Sequence, residues 1–141
     1  MSAGHTLFRM VRKLSRPDIA HGSVDPTYGR MAAAVEAVHA VKERGIATIN
    51  EVAAELGIDQ SGASRLMSQA ISAGYVQRER AAKDGRAREC GLTPAGEELL
   101  REARDWQEGV FARLTADWSD TERSEFEAQI VRLLSASDRA E

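Results

Sequence analysis

Ser61, Arg65, Ser68, Gln69 and Ser72 recur at intervals that put them on one face of a helix, at about 100° per residue, while Ala63, Leu66, Met67, Ala70 and Ile71 fall on the other. Small hydroxyl and amide side chains let a helix approach base edges in the major groove of DNA, and an arginine among them can pair with guanine or phosphate. Immediately downstream, Arg78, Arg80, Lys83, Arg86 and Arg88 place five cations in one short stretch. Residues 60–93 hold six basic and three acidic groups, whereas residues 1–59 are balanced at seven of each and residues 97–141 hold six basic and twelve acidic. One central segment is therefore positive in a chain whose net charge is -3. A charge cluster is more often a solvated face than a binding site, so the weight of this one depends on the elements that carry it.

Leu7, Phe8, Val11 and Leu14 predict a helix over 3–15 that stops before Pro17, because proline disfavours helix in the residue ahead of it. Asp18 to Pro26 reads as a loop. A second helix follows from Thr27 to Arg44, with Tyr28, Met31, Ala32, Val35, Val38 and Lys42 on one side and Gly45 as its stop. Thr48-Ile49-Asn50-Glu51 has the form of a capping box opening a third helix with Ile49, Val52, Ala53 and Leu56 in register. Gly57 ends it, and Asp59 caps the fourth helix, which bears the polar face. Tyr75–Arg78 and Glu89–Leu92 predict two short strands, with Asp84-Gly85 as a turn signal between them. Thr93-Pro94 opens a fifth helix, cap then proline at the first helical position. It continues through Leu99, Ala103, Trp106, Val110 and Leu114, steps that resemble a helix–helix seam. Ser119-Asp120-Thr121-Glu122 is a second capping box, before a sixth helix carrying Phe126, Ile130, Leu133 and Leu134.

Two short helices around a glycine turn, followed directly by a basic hairpin, describe a helix-turn-helix with a wing. The wing arginines would clamp phosphates or enter the adjacent minor groove. The candidate DNA-contacting residues are Ser61, Ser64, Arg65, Ser68 and Gln69 on the recognition helix, and Arg78, Arg80, Lys83, Asp84, Arg86 and Arg88 on the wing. The competing reading is a winged-helix protein-interaction module without sequence-specific DNA binding, since fold does not fix function. Such a face would expose apolar or aromatic residues rather than serines, glutamine and arginine.

Other chemistry finds little support. No nucleophile–base pair or carboxylate pair stands out, so an enzyme is not expected. Glu36 and His39 have the spacing of half a metal site, but no second pair exists and no metal or cofactor is expected. The single cysteine, Cys90, falls in a predicted strand and reads as an inert thiol. No apolar run is long enough to span a bilayer. Arg9, Arg12, Lys13 and Arg16 interrupt the first apolar stretch in the wrong order for a secretory signal, so a cytoplasmic protein without membrane contact is expected.

The segment INEVAAELGIDQSGASRLMSQAISAGYVQR (Ile49 to Arg78), followed by KDGRARECGLTPAGEELL (Lys83 to Leu100), resembles the MarR (multiple-antibiotic-resistance regulator) family of bacterial transcription regulators. The wing signature is an Asp-x-Arg loop running into Leu-Thr-x-x-Gly, here Asp84, Arg86, Leu92, Thr93 and Gly96. Gly62, early in the recognition helix, and Gly85, where a basic residue is common, depart from the family pattern.

The resemblance implies a mainly α chain with a small β-wing, one domain over 1–141. Within it, 1–26 would be an N-terminal dimerisation helix and loop, 27–93 the winged helix-turn-helix, and 94–141 the C-terminal dimerisation helices. It also implies a homodimer whose two winged helices read a palindromic duplex operator, as a repressor. The apolar stripes of the terminal helices, with Trp106, Phe111, Trp118 and Phe126, would then cover one another across a two-fold axis. Family members commonly answer to small aromatic or phenolic anions near the junction of the dimer helices and the winged helix. The sequence offers Phe8, Arg12, His21, Tyr28, Arg30, Met31 and His39 as the lining for such an effector.

Overall fold

A computed structural model describes residues 2–80 and 88–140. Lys83, Asp84 and Arg86 of the expected wing lie outside the described residues. The chain is mainly helical: α1 (Ala3–Leu14), α2 (Pro17–Ala20), α3 (Pro26–Arg44), α4 (Ile49–Leu56), α5 (Gln60–Ser72), β1 (Val76–Arg80), β2 (Arg88–Leu92), α6 (Pro94–Leu114) and α7 (Asp120–Arg139). It divides into two compact units, residues 1–107 and 108–141.

The core of the first unit is built around α3. Met31, Val35, Val38 and Val41 are buried with Val52 of α4, Met67 and Ala70 of α5, Val76 of β1, Cys90 of β2 and Leu99 and Leu100 of α6. Burial of a valine or leucine side chain contributes roughly 1.5–3 kcal/mol relative to leaving it exposed. Ala34 and Ala37 are also buried, so α3 is covered on more sides than the single apolar stripe of the sequence suggested. Its alanines let α4, α5 and β2 approach closely. Lys42, grouped with that stripe, instead reaches out to Glu79.

Local signals set most boundaries. Thr48 caps α4 by accepting from the Glu51 amide (3.2 Å). Its own amide donates to the Ile46 carbonyl (3.0 Å) rather than to the Glu51 side chain, so only one arm of the expected capping box forms there. Gly57 ends α4 with φ 67, the left-handed region that glycine enters without steric penalty. Both arms form at α7: Glu122 donates its amide to Ser119 Oγ (3.1 Å), and Glu122 Oε1 accepts from the Ser119 amide (2.9 Å).

The loop expected over Asp18 to Pro26 contains one helical turn, α2. Pro17 stops α1 and also serves as the first helical residue of α2, with Arg16 extended before it. That turn has a partner far along the chain: the Trp106 indole N–H donates to the Ile19 carbonyl (2.7 Å). Gly22 (φ 65) leaves room for the same ring, since a Cβ there would sit 3.0 Å from it.

The expected seam on α6 is thus partly used within the chain, where Leu99 and Ala103 are buried and Trp106 covers α2. In the second unit Phe111 stacks on Phe126 (centroids 6.1 Å apart), and Trp118 meets Phe126 edge-on (5.2 Å). These aromatics pack on one another inside one chain, which the sequence had assigned to contacts between chains. The α6–α7 corner is closed by Arg123, whose Nη2 donates to the Thr115 carbonyl (2.7 Å) and whose Nε donates to Thr115 Oγ1 (3.1 Å).

Two helices are left largely uncovered. Neither α1 nor α7 contains a buried residue. Leu7, Phe8, Met10, Val11 and Leu14 are exposed on α1, as are Ile130, Val131, Leu133 and Leu134 on α7. Among the described residues no helix is long and apolar enough to cross a membrane.

Candidate nucleic-acid interface

The helix α5 is pinned by its buried side. Ala63, Met67 and Ala70 are buried, with Leu66 and Ile71 half-buried against the core. Ser61, Arg65, Ser68, Gln69 and Ser72 are exposed, and Ser64 is half-buried at the edge of that face. Asp59 caps the helix by accepting from the Gly62 amide (2.8 Å). A Cβ at position 62 would come 2.7 Å from the same carboxylate oxygen, an approach that the Asp59 side chain would have to relieve by shifting. Arg65 folds back over this first turn, its Nη2 3.8 Å from where that Cβ would be.

Downstream of α5, β1 and β2 pair antiparallel, with Arg78 opposite Cys90, Glu79 opposite Glu89 and Arg80 opposite Arg88. Arg78 is exposed. The base of this ribbon is fixed at several points. The Cys90 amide donates to the Ala47 carbonyl (2.8 Å), tying β2 to the connection between α3 and α4. Lys42 Nζ donates to Glu79 Oε2 (3.0 Å), and Gln77 Nε2 to Glu79 Oε1 (3.4 Å). The hydrogen bond from Lys42 holds the Glu79 carboxyl below the usual range. Glu79 folds across Gly91 into space that any side chain there would fill.

The Leu-Thr-x-x-Gly segment has a direct structural reason. Thr93 donates its amide to the Tyr75 carbonyl (3.1 Å) and its hydroxyl to the Gly74 carbonyl, and its Oγ1 accepts from the Gly96 amide (3.1 Å). Gly96 lies so close to the Tyr75 carbonyl that a Cβ would overlap the oxygen. One threonine and one glycine thereby join the end of α5, the start of β1 and the start of α6. Cys90 sits inside this arrangement, buried, and burial pushes its thiol pKa up.

The residues offered for an effector do not fall together. His21 and Tyr28 meet edge-on (centroids 6.2 Å apart), and His21 Nδ1 is buried without a hydrogen-bond partner. Desolvation raises the Tyr28 pKa. Met31 is in the core. Phe8 and Arg12 line a shallow exposed depression on α1 with His5 and Arg9. His39 pairs with Glu43 (2.8 Å). Arg30 turns to the other side of α3 and lines an open cleft with Arg65 and Gln69. Sequence spacing missed this cleft, as it missed the Lys42–Glu79 and Trp106–Ile19 contacts, because each joins residues far apart in the chain.

Glu36 is 3.7 Å from Arg104, while its Oε1 is buried without a hydrogen bond. Among the described residues no group of three or more His, Cys, Asp or Glu side chains could hold a metal.

Residues 31–87 match the model of the MarR family. A transcriptional repressor of Escherichia coli (strain K12), MprA, is 29% identical over 92 residues, covering 65% of this chain and 52% of the repressor. The chain thus spans about half the length of the curated relatives it matches. In fold it is similar to the apo form of MarR from E. coli (TM-score 0.66, 16% identity, 95% of this chain and 98% of that one). It is also similar to S. aureus MepR bound to ethidium bromide (TM-score 0.63, 21% identity, 96% of both chains). The fold is that of a winged helix-turn-helix with flanking terminal helices, and over residues 31–87 the chain is similar to the MarR family.

Proposed function

We propose that the chain is a homodimeric, sequence-specific DNA-binding transcription regulator that acts as a repressor in the cytoplasm and has no catalytic activity of its own. The observation that carries this reading is the exposed face of α5. It offers Ser61, Arg65, Ser68 and Gln69 outward while Ala63, Met67 and Ala70 anchor the opposite side. A helix of about 10–12 Å diameter fits a major groove about 12 Å wide, and short polar side chains allow the close approach that base reading needs. That face exposes no large apolar residue of the kind a protein-binding surface uses at its centre.

In this reading Ser61, Ser64, Arg65, Ser68 and Gln69 contact bases and nearby phosphates. Arg78, Arg80, Lys83, Arg86 and Arg88 supply the wing's cations, with Asp84 orienting its arginines. Residues 27–93 form the reading module, and 1–26 and 94–141 supply the dimer helices. The unburied apolar faces of α1 and α7 support that division, because a second copy is the simplest cover for them. A small aromatic or phenolic anion is the proposed releasing signal. The unpartnered His21 Nδ1 beside the Tyr28 ring supports its location. Such a ligand acts only by binding more tightly to a dimer whose recognition helices are wrongly spaced for DNA.

Selection of bound sequences from a random duplex pool tests the proposal. The expected product is a palindrome with half-sites about 10–11 bp apart, centre to centre. Absence of enrichment, or equal affinity for all duplexes, would refute it.

A further inference from the structure

Arg30 stands two residues after Tyr28, hence about 200° around α3 from the ring that meets His21. Its guanidinium donates to Thr27 Oγ1 (3.4 Å), and among the described residues no carboxylate lies within ion-pair distance of it. The same holds for Arg65. The two arginines stand at an open cleft whose floor is apolar, with Ala33, Leu56, Ile58, Gly62 and Leu66, and which Gln69 also lines. The cleft therefore runs along the flank of the exposed α5 face and carries two cations that no carboxylate among the described residues pairs.

A helix seated in the major groove has a phosphate backbone on each side, because the groove is barely wider than the helix. A cation beside such a helix, on a neighbouring element, falls at the groove wall rather than at the bases. We infer that Arg30 is a phosphate-contacting residue of the DNA interface, positioning α5 from α3 while Arg65 reads or clamps from α5 itself. This rests on the reading of α5 as the recognition helix and extends it to a helix outside the helix-turn-helix. The contact is electrostatic and independent of sequence, so it contributes affinity and salt dependence without preference.

The test compares wild type, Arg30→Gln, Arg30→Lys and Arg65→Ala on the selected operator, with affinity measured across a salt series. Arg30 is exposed, so its replacement leaves the core untouched. Each lost phosphate contact lowers the slope of log affinity against log salt by about 0.9, or about 1.8 for the two copies in a dimer. Between about 50 and 200 mM salt, wild type is then expected to lose roughly twelvefold more affinity than Arg30→Gln. Arg30→Lys is expected to keep the wild-type slope, and base preference is expected to be the same in all three. An unchanged slope in Arg30→Gln, with Arg65→Ala weakened, overturns the inference alone. An altered base preference in Arg30→Gln, or loss of response to aromatic acids with DNA binding intact, also overturns it and assigns Arg30 elsewhere. If wild type binds no duplex specifically, both the inference and the function beneath it fall.

Discussion

Replacing Gly96 by alanine sets two physical expectations against each other. Helix propensity alone favours alanine over glycine by roughly 1 kcal/mol within a helix. The structure opposes it, because the added Cβ would overlap the Tyr75 carbonyl oxygen. That oxygen belongs to the backbone and cannot turn aside as a side chain would. Overpacking of this kind costs about 1–3 kcal/mol. The same oxygen accepts the Thr93 amide at 3.1 Å, a bond worth about 0.5–1.5 kcal/mol that a displaced strand would weaken. The net expectation for Gly96→Ala is a loss of about 1–3 kcal/mol. With a urea dependence of about 1–3 kcal/mol per molar, the midpoint falls by on the order of 1 M at fixed protein concentration. Gly109 in the same helix supplies the control. A Cβ there would meet Arg113 Nη1 at 3.5 Å, an ordinary contact, so Gly109→Ala is expected to hold or raise the midpoint. A midpoint for Gly96→Ala at or above wild type would refute the argument that this glycine is required by close backbone approach.

Arg123→Ala is expected to lower stability by about 1–3 kcal/mol in thermal or urea unfolding, through loss of charge-assisted hydrogen bonds to Thr115. Cys90 is buried with a raised thiol pKa, so a disulfide reagent at mildly alkaline pH is expected to modify the native chain only as fast as it opens, and rapidly in denaturant. Glu79 has a lowered folded-state pKa, first through its hydrogen bond with Lys42. Its contribution is therefore present above the unfolded carboxyl pKa and lost as pH falls through the folded one. Urea midpoints followed below neutral pH are expected to show this acid-side loss shrink in Lys42→Met. The difference is no more than about 1 kcal/mol because both partners are part-exposed.

Most elements were legible because their ends are written locally. Asp59 caps α5, Gly57 ends α4, and Ser119 with Glu122 opens α7, each within a few residues. The polar face of α5 was legible for the same reason, since helical spacing alone separates Arg65 from Met67. What escaped was contact between distant segments. Nothing near Pro17 signals that Trp106 will accept a one-turn helix beneath it. Nothing near Arg30 signals that the second arginine of its cleft is Arg65. Tyr28 and Arg30 are neighbours in sequence, which grouped them in one ligand site. The helix turns them to different sides.

The indole of Trp106 is bonded to the Ile19 carbonyl in the first compact unit, and Trp118, the chain's other tryptophan, lies edge-on to Phe126 in the second. The chain thus carries an intrinsic fluorophore in each unit, in unlike surroundings. Trp118→Phe leaves an emission that reports release of α2 from α6. Trp106→Phe leaves one that reports the α6–α7 corner. Recorded along one denaturation series, the two signals would coincide if the units melt together and separate if either opens first.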